Sequence, residues 1–173
     1  MAATATPPQS PNQHQASPFA EYGADWPLGG YAVLLAGYAA LFGIPLLIAR
    51  ERRLPSELGV RDLLLLGIAT HKLTRIATRD WVTAPLRAPF TEFKENEGAG
   101  EVAEKSRGEG LQRALGDLLA CRWCFAPWVA GALMGGLALR PRQTRVVMET
   151  FSAVALSDFM QFAYDAVRES TGK

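Results

Sequence analysis

Two cysteines three positions apart, Cys121 and Cys124, are the sharpest chemical feature of this 173-residue sequence. At the start of a helix that spacing puts both sulfurs on one side, where they can bridge, exchange with another thiol or supply two ligands to zinc. A structural zinc takes four ligands, so His71 from another segment, or carboxylates, would have to complete the set. Two small inert thiols in a packed interior satisfy the same spacing. The sequence requires no cofactor, zinc is compatible with it, and the inert, redox and metal readings of the pair all stand.

A second set of residues is ionic. Lys72, Arg75 and Arg79 recur at helical spacing behind His71, and Arg87 follows them. Such a stripe could hold an anionic lipid headgroup at a membrane surface. Pairing inside the protein with Asp117, Glu149 and Asp158 is the favoured alternative. A phosphate-cradling loop, a nucleophile elbow and a paired-acid constellation are all missing from the sequence, so no residue is assigned a catalytic role and the chain does not read as an enzyme. The net charge of +1 gives no surplus of cations for binding nucleic acid.

These residues must be positioned by long apolar segments, for 49% of the chain is hydrophobic and its charges are segregated. Residues 1–27, with four prolines before Phe19 and no Lys or Arg, read as a disordered or extended tail, without the basic start of a signal peptide. Leu28 to Ala49 is charge-free, and at 1.5 Å per residue its length of about 22 residues would cross the hydrocarbon core. Trp26 and Tyr31 at one end and Arg50, Arg52 and Arg53 at the other match interfacial anchors, and Pro45 is a tolerated kink. This is the expected first transmembrane helix, 28–49.

A second helix is expected after Pro55 and Ser56, through the stretch that carries His71 and the basic stripe. Residues 81–117 form a charged extramembranous loop, with helical spacing returning at Leu111 to Leu119. Leu118 to Leu139, interrupted by Arg122, reads as a third helix, whose Gly131, Ala132, Gly135 and Gly136 offer a small-residue face to a neighbour. After a basic turn at Arg140, Arg142 and Arg145, Val146 to Tyr164 is the fourth apolar segment, and 166–173 a tail. The expected fold is therefore an all-α integral membrane bundle of three to four transmembrane helices with one charged loop. With four spans the basic turns lie inside and the N-terminus outside; with three, the second helix lies in the interface as an amphipathic segment.

The stretches HKLTRIATRDWVTAPLRAPFT (71–91) and EVAEKSRGEGLQRALGDLLACRWCFAPWVAG (101–131), then TR at 144–145 and SDF at 157–159, occur in that order. In these motifs the chain resembles a bacterial family of small membrane proteins, domain of unknown function 1360, which has a sporulation-associated member. The resemblance covers roughly 58–165. It implies a bacterial membrane location and brings no activity, substrate or cofactor. Arg122 and Trp123, between the cysteines, depart from the Pro-aromatic pair associated with the family.

Taken together, the sequence points to a multi-pass protein of the bacterial cytoplasmic membrane, a structural or accessory subunit whose partners are membrane lipids and other membrane protein subunits. A membrane thiol-redox or metal-binding protein centred on Cys121 and Cys124 is the alternative.

Overall fold

The computed structural model describes residues 26–44, 47 and 58–172. The expected N-terminal tail up to residue 25, the kink at Pro45, the anchors at Arg50, Arg52 and Arg53 and the helix start at Pro55 and Ser56 lie outside these residues. Helix α1, Leu28–Tyr38, begins where the charge-free run begins and continues through a π-helical turn at Ala39–Gly43. Helix α2, Val60–Thr78, has Asp62 in its first turn, where the positive end of the helix dipole favours it. A 3-10 turn at Trp81–Thr83 and the short helix α3, Ala84–Arg87, follow, with Pro85 at a first-turn position that needs no backbone donor.

Strands β1, Thr91–Gly98, and β2, Glu101–Ser106, then form an antiparallel hairpin, with Thr91 opposite Ser106 and Phe93 opposite Glu104. Its turn runs Gly98, Ala99, Gly100 with φ of 82°, 49° and 78°, a left-handed run that the two glycines adopt without strain and that also takes in Ala99. Helices α4, Gly110–Ala120, α5, Arg122–Leu139, and α6, Pro141–Ser170, complete the chain.

Two parts of the expected fold are corrected. The hairpin makes the chain helical with a small sheet, not all-α. Among the described residues no single helix is long and apolar enough to cross a membrane, so an integral bundle of three to four spans is not supported. The reasons are local. A span needs about 20 apolar residues, and the apolar helix described at Leu28–Gly43 is shorter. The apolar run 118–139 is not one helix, because Cys121 is extended (φ −106°, ψ 101°) and α4 meets α5 at 85°. Among the described residues only that bent pair, taken together, reaches the length and composition of a span. Helices α2 and α6 are long, but their charged side chains pair with one another rather than leaving an apolar surface all round. The basic stretch expected as a turn is mostly the first turns of α6, which then runs on through Ser170, past the expected start of the tail.

Helices α2, α5 and α6 share the core, where Leu66 and Ala69 meet Leu133, Leu137 and Met148. Ser152 on α6 donates to the Leu65 carbonyl at 3.1 Å and fixes the register of the two helices. Helix α1 lies against α4, with the Tyr31 hydroxyl donating to Asp117 at 2.6 Å. The Tyr38, Phe42 and Trp128 rings, 4.8 to 6.2 Å apart, join its far end to α5. At Gly116 the backbone of α4 passes so close to the hairpin base that a Cβ would stand 2.9 Å from Cβ of Ser106 and closer still to the Phe90 carbonyl.

Candidate functional site

The chemistry-bearing residues fall into two places. The first is the corner between α4 and α5. Cys121 ends one helix and caps the next, so its extended backbone turns its carbonyl and its sulfur toward the free amides of the first turn of α5. The Cys124 amide donates to Cys121 Sγ at 3.2 Å and to the Cys121 carbonyl at 3.1 Å, and the Phe125 amide donates to that carbonyl at 3.0 Å. The two sulfurs are joined in a disulfide, with Cα atoms 5.2 Å apart, inside the range a bridge requires. Cys121 is half-buried, and Cys124 and Trp123 are exposed. Arg122 carries its guanidinium 5.9 Å from the Trp123 ring centre, and the first turn of α5 holds no acidic residue.

On α2, the exposed His71 stacks on Phe159 of α6 with ring centres 6.5 Å apart. Partial burial lowers its pKa below the usual histidine value, and the charges of Arg75, Arg122 and Lys72 lower it further. The charge of Arg122 at the start of α5 thus reaches this stretch of α2, with Asp158 opposing it. Among the described residues, no three His, Cys, Asp or Glu side chains gather as metal ligands would.

The second place is the hairpin base. Arg87, only 1% exposed, is held by five hydrogen bonds. Its Nε and Nη2 donate to the two Glu104 oxygens at 2.9 and 3.0 Å, the bidentate geometry that carboxylates favour. Its remaining hydrogens reach the carbonyls of Ala77 and Asp80, at 3.1 and 3.2 Å, and the Thr83 hydroxyl, at 2.6 Å. One guanidinium therefore ties the end of α2, the 3-10 turn and β2 together. Burial by itself pushes the Glu104 carboxyl up, but hydrogen bonds from Arg87 and Thr91 and the charge of Arg87 outweigh it, and the group sits below the usual glutamate value. Backbone bonds add to the joint, from the Val102 amide to the Arg79 carbonyl at 2.9 Å and from the Trp81 amide to the Gly100 carbonyl at 3.1 Å. A groove of about 620 Å3 runs between hairpin and α3, lined by Trp81, Pro85, Ala88, Phe93 and Val102 with Glu104 at its polar edge.

The basic stripe is distributed along both places. Lys72 pairs with Asp158 at 2.7 Å, Arg75 with Glu101, and Arg79 with Glu97 at 3.0 Å. Glu149 takes Arg61 at 2.5 Å, and Asp117 takes the Tyr31 hydroxyl rather than a cation of the stripe. Sequence reading missed Glu97, Glu101 and Glu104, the hairpin partners of three of these cations. Their signal was charge complementarity, an acid-rich stretch following a base-rich one.

Residues 65–164 match the family described as a protein of unknown function (DUF1360), more than half of the chain. The chain belongs to that family. This DUF1360 protein is 30% identical to the sporulation protein YjcA of Bacillus subtilis (strain 168) over 102 residues, 57% of its own length and 86% of the relative's. The resemblance read from the motifs at 71–91 and 101–131 is therefore correct. No solved structure matches the chain. The matched region takes in both the disulfide corner and the Arg87 joint.

Proposed function

We infer that the protein is an accessory subunit of a membrane-associated assembly. The observation that carries this reading is the outward face of α6. Leu156, Met160, Tyr164 and Val167 follow one another at helical spacing, each between 59% and 70% exposed. An apolar stripe of that length is costly to leave in water and marks a surface covered by a partner or by lipid. Exposed Val33, Leu35 and Leu41 extend the same character to α1. The ion-paired hairpin is the polar counterpart, a head that remains hydrated while the helices are covered. Other membrane protein subunits and membrane lipids are the partners that fit.

Purification from the native host in mild detergent tests the reading. The unmodified protein carries a stoichiometric companion, and a chain with M160E and Y164E loses it while keeping its helix content. Emergence of the unmodified protein alone and monomeric at every expression level overturns the assignment. So does its retention in the supernatant after hard centrifugation of broken cells without detergent.

A further inference from the structure

The disulfide corner is unlike a buried structural bridge. It closes only a four-residue loop, so it constrains the unfolded chain little. It stands at the outer bend of the chain, with Cys124 and the neighbouring Trp123 exposed. The two sulfurs are also not equivalent. Cys121 Sγ accepts the Cys124 amide at 3.2 Å at the head of an 18-residue helix, beside Arg122 and with no carboxylate in the first turn. Those are the conditions that stabilise a thiolate. Cys124 is the more exposed residue of the pair.

We propose that Cys121 and Cys124 form a thiol-disulfide exchange site whose substrate is a vicinal dithiol of a partner protein. A partner thiolate attacks Cys124 Sγ and forms a mixed disulfide. The bond between Cys124 and Cys121 breaks, and its electron pair stays on Cys121 Sγ as the thiolate held by the Cys124 amide. The partner's second thiol, after losing its proton, attacks its own sulfur in the mixed disulfide and expels the Cys124 thiolate. Both released thiolates take up the two protons lost by the partner, which leaves the partner oxidised to a disulfide and this pair reduced to two thiols. Reoxidation by the disulfide of a second protein runs the same two steps in reverse. The exposed Trp123 ring, with Arg122 beside it, supplies an apolar and cationic landing for the polypeptide flanking the substrate cysteines. This activity is independent of the accessory-subunit reading, since exchange needs no permanent companion.

The test uses the full chain in mild detergent with dithiothreitol as the dithiol probe, followed by maleimide labelling. Native protein is reduced within minutes, and oxidised dithiothreitol restores the bridge. In Cys124→Ser, which keeps the backbone amide that faces Cys121, the remaining thiol titrates below the ordinary value of about 8.5 when alkylation by iodoacetamide is followed against pH. In Cys121→Ser, oxidised glutathione leaves a persistent adduct on Cys124. Reduction by dithiothreitol only after denaturation overturns the proposal, and that measurement needs no variant to fold. A Cys121 thiol that titrates at or above 8.5 in the folded Cys124→Ser chain overturns it equally.

Discussion

The three-helix core and the hairpin head solve the same problem, joining segments far apart in the chain, by opposite means. The core of α2, α5 and α6 uses apolar packing around Met148, fully buried between Leu66, Ala69, Leu133 and Leu137. The head has few buried apolar groups, Val102 and Ala103 among them, and is organised by one buried cation, Arg87, with its carboxylate Glu104. Packing is distributed and tolerates loss of a part. A buried ion pair is concentrated, because removal of one partner leaves the other charged and without its partner.

That contrast can be broken most forcefully at Arg87. Arg87→Met strands Glu104 and should cost about 3–5 kcal/mol in the head. Hydrogen exchange of the 91–106 amides should accelerate far more than that of α5, and equal acceleration in both would show that head and core are one cooperative unit. Met148→Ala should cost roughly 2–5 kcal/mol by the loss of buried contacts and the cavity left behind. Here chemical denaturation should move the helical signal while hairpin exchange changes less. Gly116→Val forces a side chain against the Phe90 carbonyl and Ser106 and should cost about 1–3 kcal/mol. The loss should be seen on both sides of the boundary between α4 and the hairpin.

Acid should weaken the head without mutation. The folded Glu104 pKa is depressed, so its contribution is fully present above the unfolded glutamate value of about 4.3 and is lost as pH falls through the folded value. Trp81 fluorescence, at the edge of the hairpin groove, should hold until pH falls below the unfolded glutamate value of about 4.3, and a change already complete above it would contradict this dependence. The smallest effect is expected at the pair of half-buried Asp62 and exposed Arg145, 2.8 Å apart. Asp62→Asn should leave the melting midpoint unchanged at high salt, where screening removes what little such pairs contribute.

The two regions also differed in how readily sequence disclosed them. Apolar runs marked the start of α1 at Leu28 and the end of α5 at Leu139, because a long stretch almost free of charge is legible in one sequence without any period. The hairpin was invisible. Thr91–Gly98 alternates almost nothing apolar, since most of it faces solvent and its stability comes from ion pairs to α2 instead of a packed face. Only the Gly98, Ala99, Gly100 turn hinted at it. The break at Cys121 was hidden for the opposite reason, because apolar residues continue on both sides and hydropathy does not register a change of direction. The cysteine pair was legible as chemistry, yet its spacing did not decide among inert thiols, which the sequence favoured, a disulfide, which the structure shows, and metal ligands. Hydropathy also overstated the membrane, for it counts residues along the chain and not along a straight axis.

The hydrogen bond from Ser152 to Leu65 spans 87 residues, and the pair of Lys72 and Asp158 spans 86. At about 5–20 residues per second, a ribosome leaves α2 without its partner helix for roughly 4 to 17 s. During that interval Leu66 and Ala69 have no α6 to cover them, long after local helix formation is complete. Synthesis thus contains a waiting period in which the α6-facing side of α2 is uncovered, and a chain truncated before α6 remains permanently in that exposed state.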